Sequence, residues 1–149
     1  MKRAQFILLA TLSIFLYGSG DGLPSIQISR NLDLGGKENL SVRCEEDSTV
    51  NEKASCWLTL ARTGKETLKK NLRMHEVEPL MKEFFQRISH RKQDKTRVLT
   101  SQRIAFTWNI SSGAHFSKGE MAFGDGSENN TADAVLSVEF LLSSKFLTE

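Results

Sequence analysis

Four short segments of this 149-residue chain alternate apolar and polar side chains. They are residues 25–30, 40–44, 56–60 and 104–110. Because successive side chains of a strand point to opposite faces, this alternation is typical of strands with one buried face and one face in water. The sequence therefore predicts a sheet that carries its core on one side.

Two glycine turns and a change of period predict the remaining elements. Gly64 and Gly113 each precede a further strand, expected at 66–72 and at 114–123. A helix is predicted after the strand at 66–72, because the apolar residues of the segment that follows it recur at intervals of three and four. Those residues are Val77, Leu80, Met81, Phe84, Phe85 and Ile88. Pro79 is tolerated only in a first turn, which sets the expected helix start near Glu76.

The last segment, 132–146, fits two structures. Leu136, Val138 and Phe140 alternate like a strand, whereas a helical stripe joins a different set of apolar residues. That set is Ala134, Val135, Val138, Leu141 and Leu142. Thr131 is a suitable N-cap residue, and the helix is therefore preferred over the strand.

These elements predict an α+β fold: a small antiparallel sheet of about six strands with two helices packed on one face. Residues 56–91 and 103–146 both read as strand, turn, strand and helix. Aligning Gly64 with Gly113 sets Trp57 beside Phe106. This candidate strand-strand-helix repeat is a match of pattern and not of identical residues.

The first twenty residues resemble a cleavable export signal. Lys2 and Arg3 precede an apolar run at 6–17, and Gly18 and Gly20 have the small-residue spacing of a cleavage site. A membrane anchor is the alternative, but the run is shorter than the about 20 residues that span a bilayer. We expect a signal at 1–20 and one domain at 21–149, with no transmembrane segment. The domain would be periplasmic or envelope-bound in a bacterium, and secreted in a eukaryote.

Cys44 and Cys56 are the two cysteines of the chain. In an oxidising compartment an isolated pair most simply forms a disulfide. The alternatives are a free thiol nucleophile or half of a metal site, although no Cys-x-x-Cys spacing is present. The bridge would join the second and third strands.

Positive charge is concentrated in the middle of the chain, where residues 60–103 hold 12 basic and 5 acidic side chains. The candidate face for an anionic partner consists of Lys65, Lys69, Lys70, Arg87, Arg91, Lys92, Lys95 and Arg97. Neutralisation by the acidic ends of the same chain is the alternative. An anionic protein or an envelope component suits this charge. Nucleic acid suits it less, because the nearby Phe84 and Phe85 belong to the helix stripe and not to a stacking surface.

The remaining motifs give weaker indications of function. Asn39, Asn109 and Asn129 begin glycosylation acceptor patterns, which matter only in a eukaryotic host. The segment 125–133 resembles a calcium loop but has Asn130 at the glycine position and lacks the bidentate glutamate. His75, His90 and His115 form no zinc pattern. No metal, cofactor or catalytic motif is predicted.

The sequence leaves three functions open. A binding or inhibitory module outside the cytoplasm is preferred, on the basis of export, small size and the absence of catalytic motifs. A small hydrolase with scattered carboxylates is the second, and a structural accessory of the cell envelope is the third. Because helix residues two apart point in different directions, Glu76 and Glu78 make a poor catalytic pair.

Overall fold

The computed structural model describes residues 22–32, 34–46, 54–89, 104–122 and 130–148. They form one six-stranded antiparallel sheet and two helices, which confirms the predicted α+β class. The elements, numbered in chain order, are β1 Ser25–Leu32, β2 Gly36–Glu46, β3 Ala54–Arg62, β4 Leu68–Arg73, α1 Met74–Ser89, β5 Ile104–Ser112, β6 His115–Ala122 and α2 Asn130–Ser144. The predicted signal segment lies outside the described residues.

The strands lie in the order β4-β3-β2-β1-β5-β6, and every neighbouring pair is antiparallel. β1 is central and pairs with both β2 and β5. The two strand-strand-helix units therefore occupy opposite edges of one sheet. Within the part of the chain that the structure describes, neither helix has the length and apolar character needed to cross a membrane.

The inner face of the sheet is apolar in register across the central strands. Ile26 of β1 lies opposite Val42 on one side and Ile110 on the other. One step along, Ile28 lies between Leu40 and Trp108. All six side chains are buried. Burial of each large aliphatic side chain contributes about 1.5–3 kcal/mol, so this layer contributes substantially to stability.

Both helices complete this core with one face each. Val77, Met81 and Phe84 of α1 are buried, as the predicted stripe requires. The last segment is a helix, and its buried residues include Val135 and Leu142. Leu141 was predicted to belong to the same stripe but is 47% exposed. The buried arc of α2 is centred on Val135 and Leu142 and extends round the helix to Ala132 and Glu139, so Leu141 falls beyond its opposite edge.

A partly buried ion pair attaches α2 to the centre of the sheet. Glu139 is 8% exposed and pairs with Arg30 of β1, whose Nε atom donates to Glu139 Oε1 over 3.1 Å. The Arg30 guanidinium also lies 5.9 Å from the centroid of the Phe106 ring. A buried charge is tolerated when it is paired and hydrogen-bonded, and both conditions are met here.

Helix α1 begins at Met74, two residues before the expected start. The Oε2 atom of Glu76 accepts a hydrogen bond of 2.8 Å from the backbone N–H of Arg73, the last residue of β4. This contact is the carboxylate half of a capping box. It satisfies the backbone N–H of Arg73, which has no acceptor within the helix. Pro79 consequently lies in the second turn, where it supplies no N–H to the helix ladder.

The two strand-strand-helix units match in element order but not in detail. Gly64 and Gly113 both have positive φ angles, 75° and 60°. The β3–β4 connection spans residues 63–67, whereas β5 and β6 are joined by two residues. Trp57 lies on the face opposite Cys56 and Leu58, while Phe106 lies on the inner face. The alignment of these two aromatic residues is therefore wrong.

Trp108 lies flat across the edge strand β6. A methyl group placed on Gly119 would lie 2.8 Å from both Cε2 and Cη2 of the Trp108 indole. The indole Nε1 donates a 3.1 Å hydrogen bond to Ser117 Oγ, two residues earlier on β6. The absence of a side chain at Gly119 lets the ring cover the strand.

We expect Gly119→Ala to lower the free energy of unfolding by about 1–3 kcal/mol, because the added methyl overpacks the indole. Gly36→Ala is the matched control, since its added methyl meets Thr63 Cβ at 3.5 Å, an ordinary contact distance. Urea denaturation measures both. Trp108→Phe should relieve part of the Gly119→Ala penalty in a double-mutant cycle. Equal losses for the two glycine variants would contradict this packing.

Candidate functional site

The outer face of the sheet lies on the side away from both helices. Its strand residues alternate with the buried ones and are mostly serine, threonine, asparagine and glutamine on β1 and β5. The basic residues lie on the other strands. A face of this kind stays solvated because its polar groups retain water, while the alternate residues form the core.

Trp57 interrupts this polar face. The indole is 48% exposed, and Trp57 lies directly opposite Arg43 of β2 and Asn71 of β4. Lys69 and Arg73 flank Asn71 on the same face of β4. Opposite residues in antiparallel strands have Cβ atoms about 5 Å apart, and diagonal ones about 7–8 Å. We call the set Arg43, Trp57, Lys69 and Arg73 the Trp57 patch.

The cations of the Trp57 patch have no carboxylate partner within the described residues. The ion pairs found there join Arg30 with Glu139, Arg62 with Glu38, and Lys145 with Glu76. Among the described residues, Glu45 is the acidic residue of the outer face near the patch; it lies opposite Ser55 and two residues after Arg43 on β2. Arg43, Lys69 and Arg73 are exposed. Within the described ranges, then, these three cations are exposed and form none of the ion pairs.

The structure divides the basic set predicted from the sequence. Lys69 and Lys70 are consecutive strand residues, so they point to opposite faces of the sheet. Lys70 Nζ donates to the backbone carbonyl of Lys145 over 2.6 Å, at the end of α2. Arg87 Nη1 donates to Ser137 Oγ over 3.1 Å and so links the two helices. These two cations stabilise the fold on the helix side.

Lys65 is the remaining member of the predicted basic set that the structure describes, and it does not belong to the Trp57 patch. Lys65 is exposed in the β3–β4 connection. Arg91, Lys92, Lys95 and Arg97 lie outside the described residues. Sequence reasoning placed Lys69 in the candidate face but missed two cations. Arg73 lies on the same face of β4 as Lys69, and Arg43 of β2 joins the patch through strand pairing with Trp57.

The predicted disulfide is confirmed. Cys44 and Cys56 are bonded and lie directly opposite each other on β2 and β3. The next pair along these strands is Arg43 with Trp57. The bridge therefore fixes the strand register that forms the Trp57 patch.

Two of the three glycosylation acceptor asparagines share the outer face. Asn109 of β5 is exposed, whereas Asn39 of β2 is half-buried and accepts a hydrogen bond from Ser29 Oγ. Asn129 lies outside the described residues, as does most of the segment that resembles a calcium loop. In the described ranges, no three His, Cys, Asp or Glu side chains lie close enough to hold a metal ion.

The three carboxylates of the described residues that are not fully exposed all form ion pairs. They are Glu38, Glu76 and Glu139. The backbone N–H of Arg73 is the main cause that holds the pKa of Glu76 below its ordinary value of 4.5, and Lys145 adds to it. The imidazoles of His75 and His115 are exposed, and His115 stacks 5.4 Å from Phe85.

Comparison with known proteins adds no relative. No protein-family model, no curated protein and no solved structure matches the chain. The functional argument therefore depends on the geometry described above.

We expect the stability of the protein to fall as the pH drops below about 4.5, in part because Glu76 becomes protonated. A carboxyl with a lowered pKa in the folded state stabilises the fold above its unfolded-state pKa, and this contribution disappears as the pH falls through the folded-state value. Glu76→Gln should remove that component and flatten the profile of unfolding free energy between about pH 5 and pH 3. Glu78→Gln, an exposed position of the same helix, is the control. A Glu76→Gln profile parallel to that of the wild type would contradict the prediction.

Proposed function

We propose that the chain is a small binding module that acts outside the cytoplasm and engages an acidic protein through the Trp57 patch. The observation that carries the proposal is a half-exposed indole among three exposed cations without a described carboxylate partner. Tryptophan and arginine are the residues most enriched at the energetic centres of protein interfaces.

The arrangement suits an acidic polypeptide. Arg43 and Arg73 flank the indole from two different strands, and arginine forms paired hydrogen bonds with carboxylates. The indole provides apolar contact area at the centre, where it excludes water from the surrounding ion pairs. The flat face of a sheet presents these groups from rigid strands, so little ordering is needed on binding.

Two features support a location outside the cytoplasm. The Cys44–Cys56 disulfide is a bond that persists in oxidising compartments. The first twenty residues have the composition of an export signal. The hydrolase alternative has no comparable support, because the partly buried carboxylates of the described residues form structural ion pairs.

The proposal predicts salt-dependent binding to immobilised poly-L-glutamate, which serves as the probe for an acidic polypeptide. We expect Arg43→Glu with Arg73→Glu to weaken binding about tenfold or more, equivalent to about 1.4 kcal/mol. Trp57→Ala should also weaken it, by about 1–2 kcal/mol. The melting temperatures should change little, because these side chains are exposed.

Lys37→Glu is the matched control, since Lys37 lies on the same face of β2 but far from Trp57. Heparin is the competing probe for an acidic glycan. Binding that is insensitive to salt, or weakened equally by Lys37→Glu, would contradict the proposal. Strong binding of heparin with no binding of polyglutamate would replace the acidic protein with a glycan.

A further inference from the structure

The two edges of the sheet differ in how they are protected against pairing. β4 carries Lys69, Lys70 and Arg73 within six residues, so a second copy of β4 placed beside it would meet like charges. β6 carries one lysine and one glutamate, Lys118 and Glu120, both exposed. It also exposes Phe116, whose side chain is 76% accessible. β6 thus lacks the charge barrier of the opposite edge.

The β5–β6 hairpin determines which backbone groups of β6 are free. Ser112 and His115 close a two-residue loop, with a positive φ at Gly113. In such a hairpin the closing residues exchange hydrogen bonds, and bonded pairs then alternate along the strands. Ser117 and Gly119 therefore bond to β5. The N–H and C=O groups of Phe116, Lys118 and Glu120 point away from it.

We propose that β6 pairs antiparallel with β6 of a second copy, with the twofold axis passing at Gly119. In this register Lys118 lies opposite Glu120 of the second copy, and the same contact is repeated across the axis. Each pair joins residues whose backbone groups are free, so the ladder hydrogen bonds and the two ion pairs form together. The result is a continuous twelve-stranded sheet.

Charge complementarity selects this register over its neighbours. Moving the axis to Lys118 places two lysines opposite each other, and moving it to Glu120 places two glutamates opposite each other. An axis at Ser117 leaves Glu120 without an opposing cation. Only the axis at Gly119 gives both charged residues an opposite partner and also sets Phe116 beside the small side chain of Ala122 from the second copy.

The packing of β6 favours the same association. Trp108 covers the inner face of β6 at Gly119 and donates a hydrogen bond to Ser117, so both contacts attach β6 to β5. No described strand pairs with the free edge of β6, because the neighbour of β6 in the sheet is β5 alone. The pairing is independent of the Trp57 patch, which lies on β2, β3 and β4, toward the opposite edge of the sheet.

Sedimentation analysis of the full chain tests the pairing through charge reversal. The wild type should be a dimer, and Lys118→Glu or Glu120→Lys alone should each weaken dimerisation about tenfold or more, because each variant creates two like-charge contacts. Mixing the two single variants should restore a dimer, since each copy then supplies the charge that the other lacks. The double variant Lys118→Glu/Glu120→Lys should dimerise like the wild type.

Glu83→Lys, an exposed position on α1, is the control and should leave the dimer intact. Circular dichroism establishes that each variant is folded. A monomeric wild type would overturn the proposal, and so would a dimer that the single reversals leave unchanged. Failure of the mixture to reassociate, with both variants folded, would overturn the register at Gly119.

Discussion

The structure depends on a sheet that packs both described helices against the same apolar face. Ile26, Ile28 and their cross-strand partners fill the side that α1 and α2 cover. A shift of one residue in any strand would exchange its apolar and polar side chains between the two faces. The Cys44–Cys56 bridge and the Arg30–Glu139 ion pair each hold part of this arrangement in place. The bridge fixes β2 against β3, and the ion pair fixes α2 against β1.

The same constraint decides which cations are available for binding. Lys70 and Arg87 lie on the covered side, where they bond to a helix-terminal carbonyl and to a serine hydroxyl. Lys69 and Arg73 lie on the open side. Local charge density in the sequence does not separate these two groups, because consecutive strand residues point in opposite directions. The Trp57 patch is therefore a product of strand pairing and not of the charge-rich segment as a whole.

The periodicity of apolar residues predicted the strands and helices, whereas strand pairing determined which residues form the candidate site. Alternation predicted four of the six strands, and the glycine turns indicated β4 and β6. The spacing from Val77 to Phe84 was sufficient for α1. The start of α1 was missed because a side chain, Glu76, reaches back to Arg73. A disulfide between β2 and β3 places Arg43 opposite Trp57 only if the two cysteines lie directly opposite each other, as they do here. Sequence alone does not give that register, and so it did not identify the patch.

The chain has two tryptophans, one on each face, and their reactivity tests the one-sided sheet most directly. Trp57 is half-exposed on the open face, while Trp108 is 5% exposed beneath the helices. The native protein should be oxidised by N-bromosuccinimide at a single indole, mapped to Trp57 by mass spectrometry of peptides, with Trp108 reacting only after denaturation. Oxidation of both indoles at similar rates in the native protein, or of Trp108 first, would contradict the account.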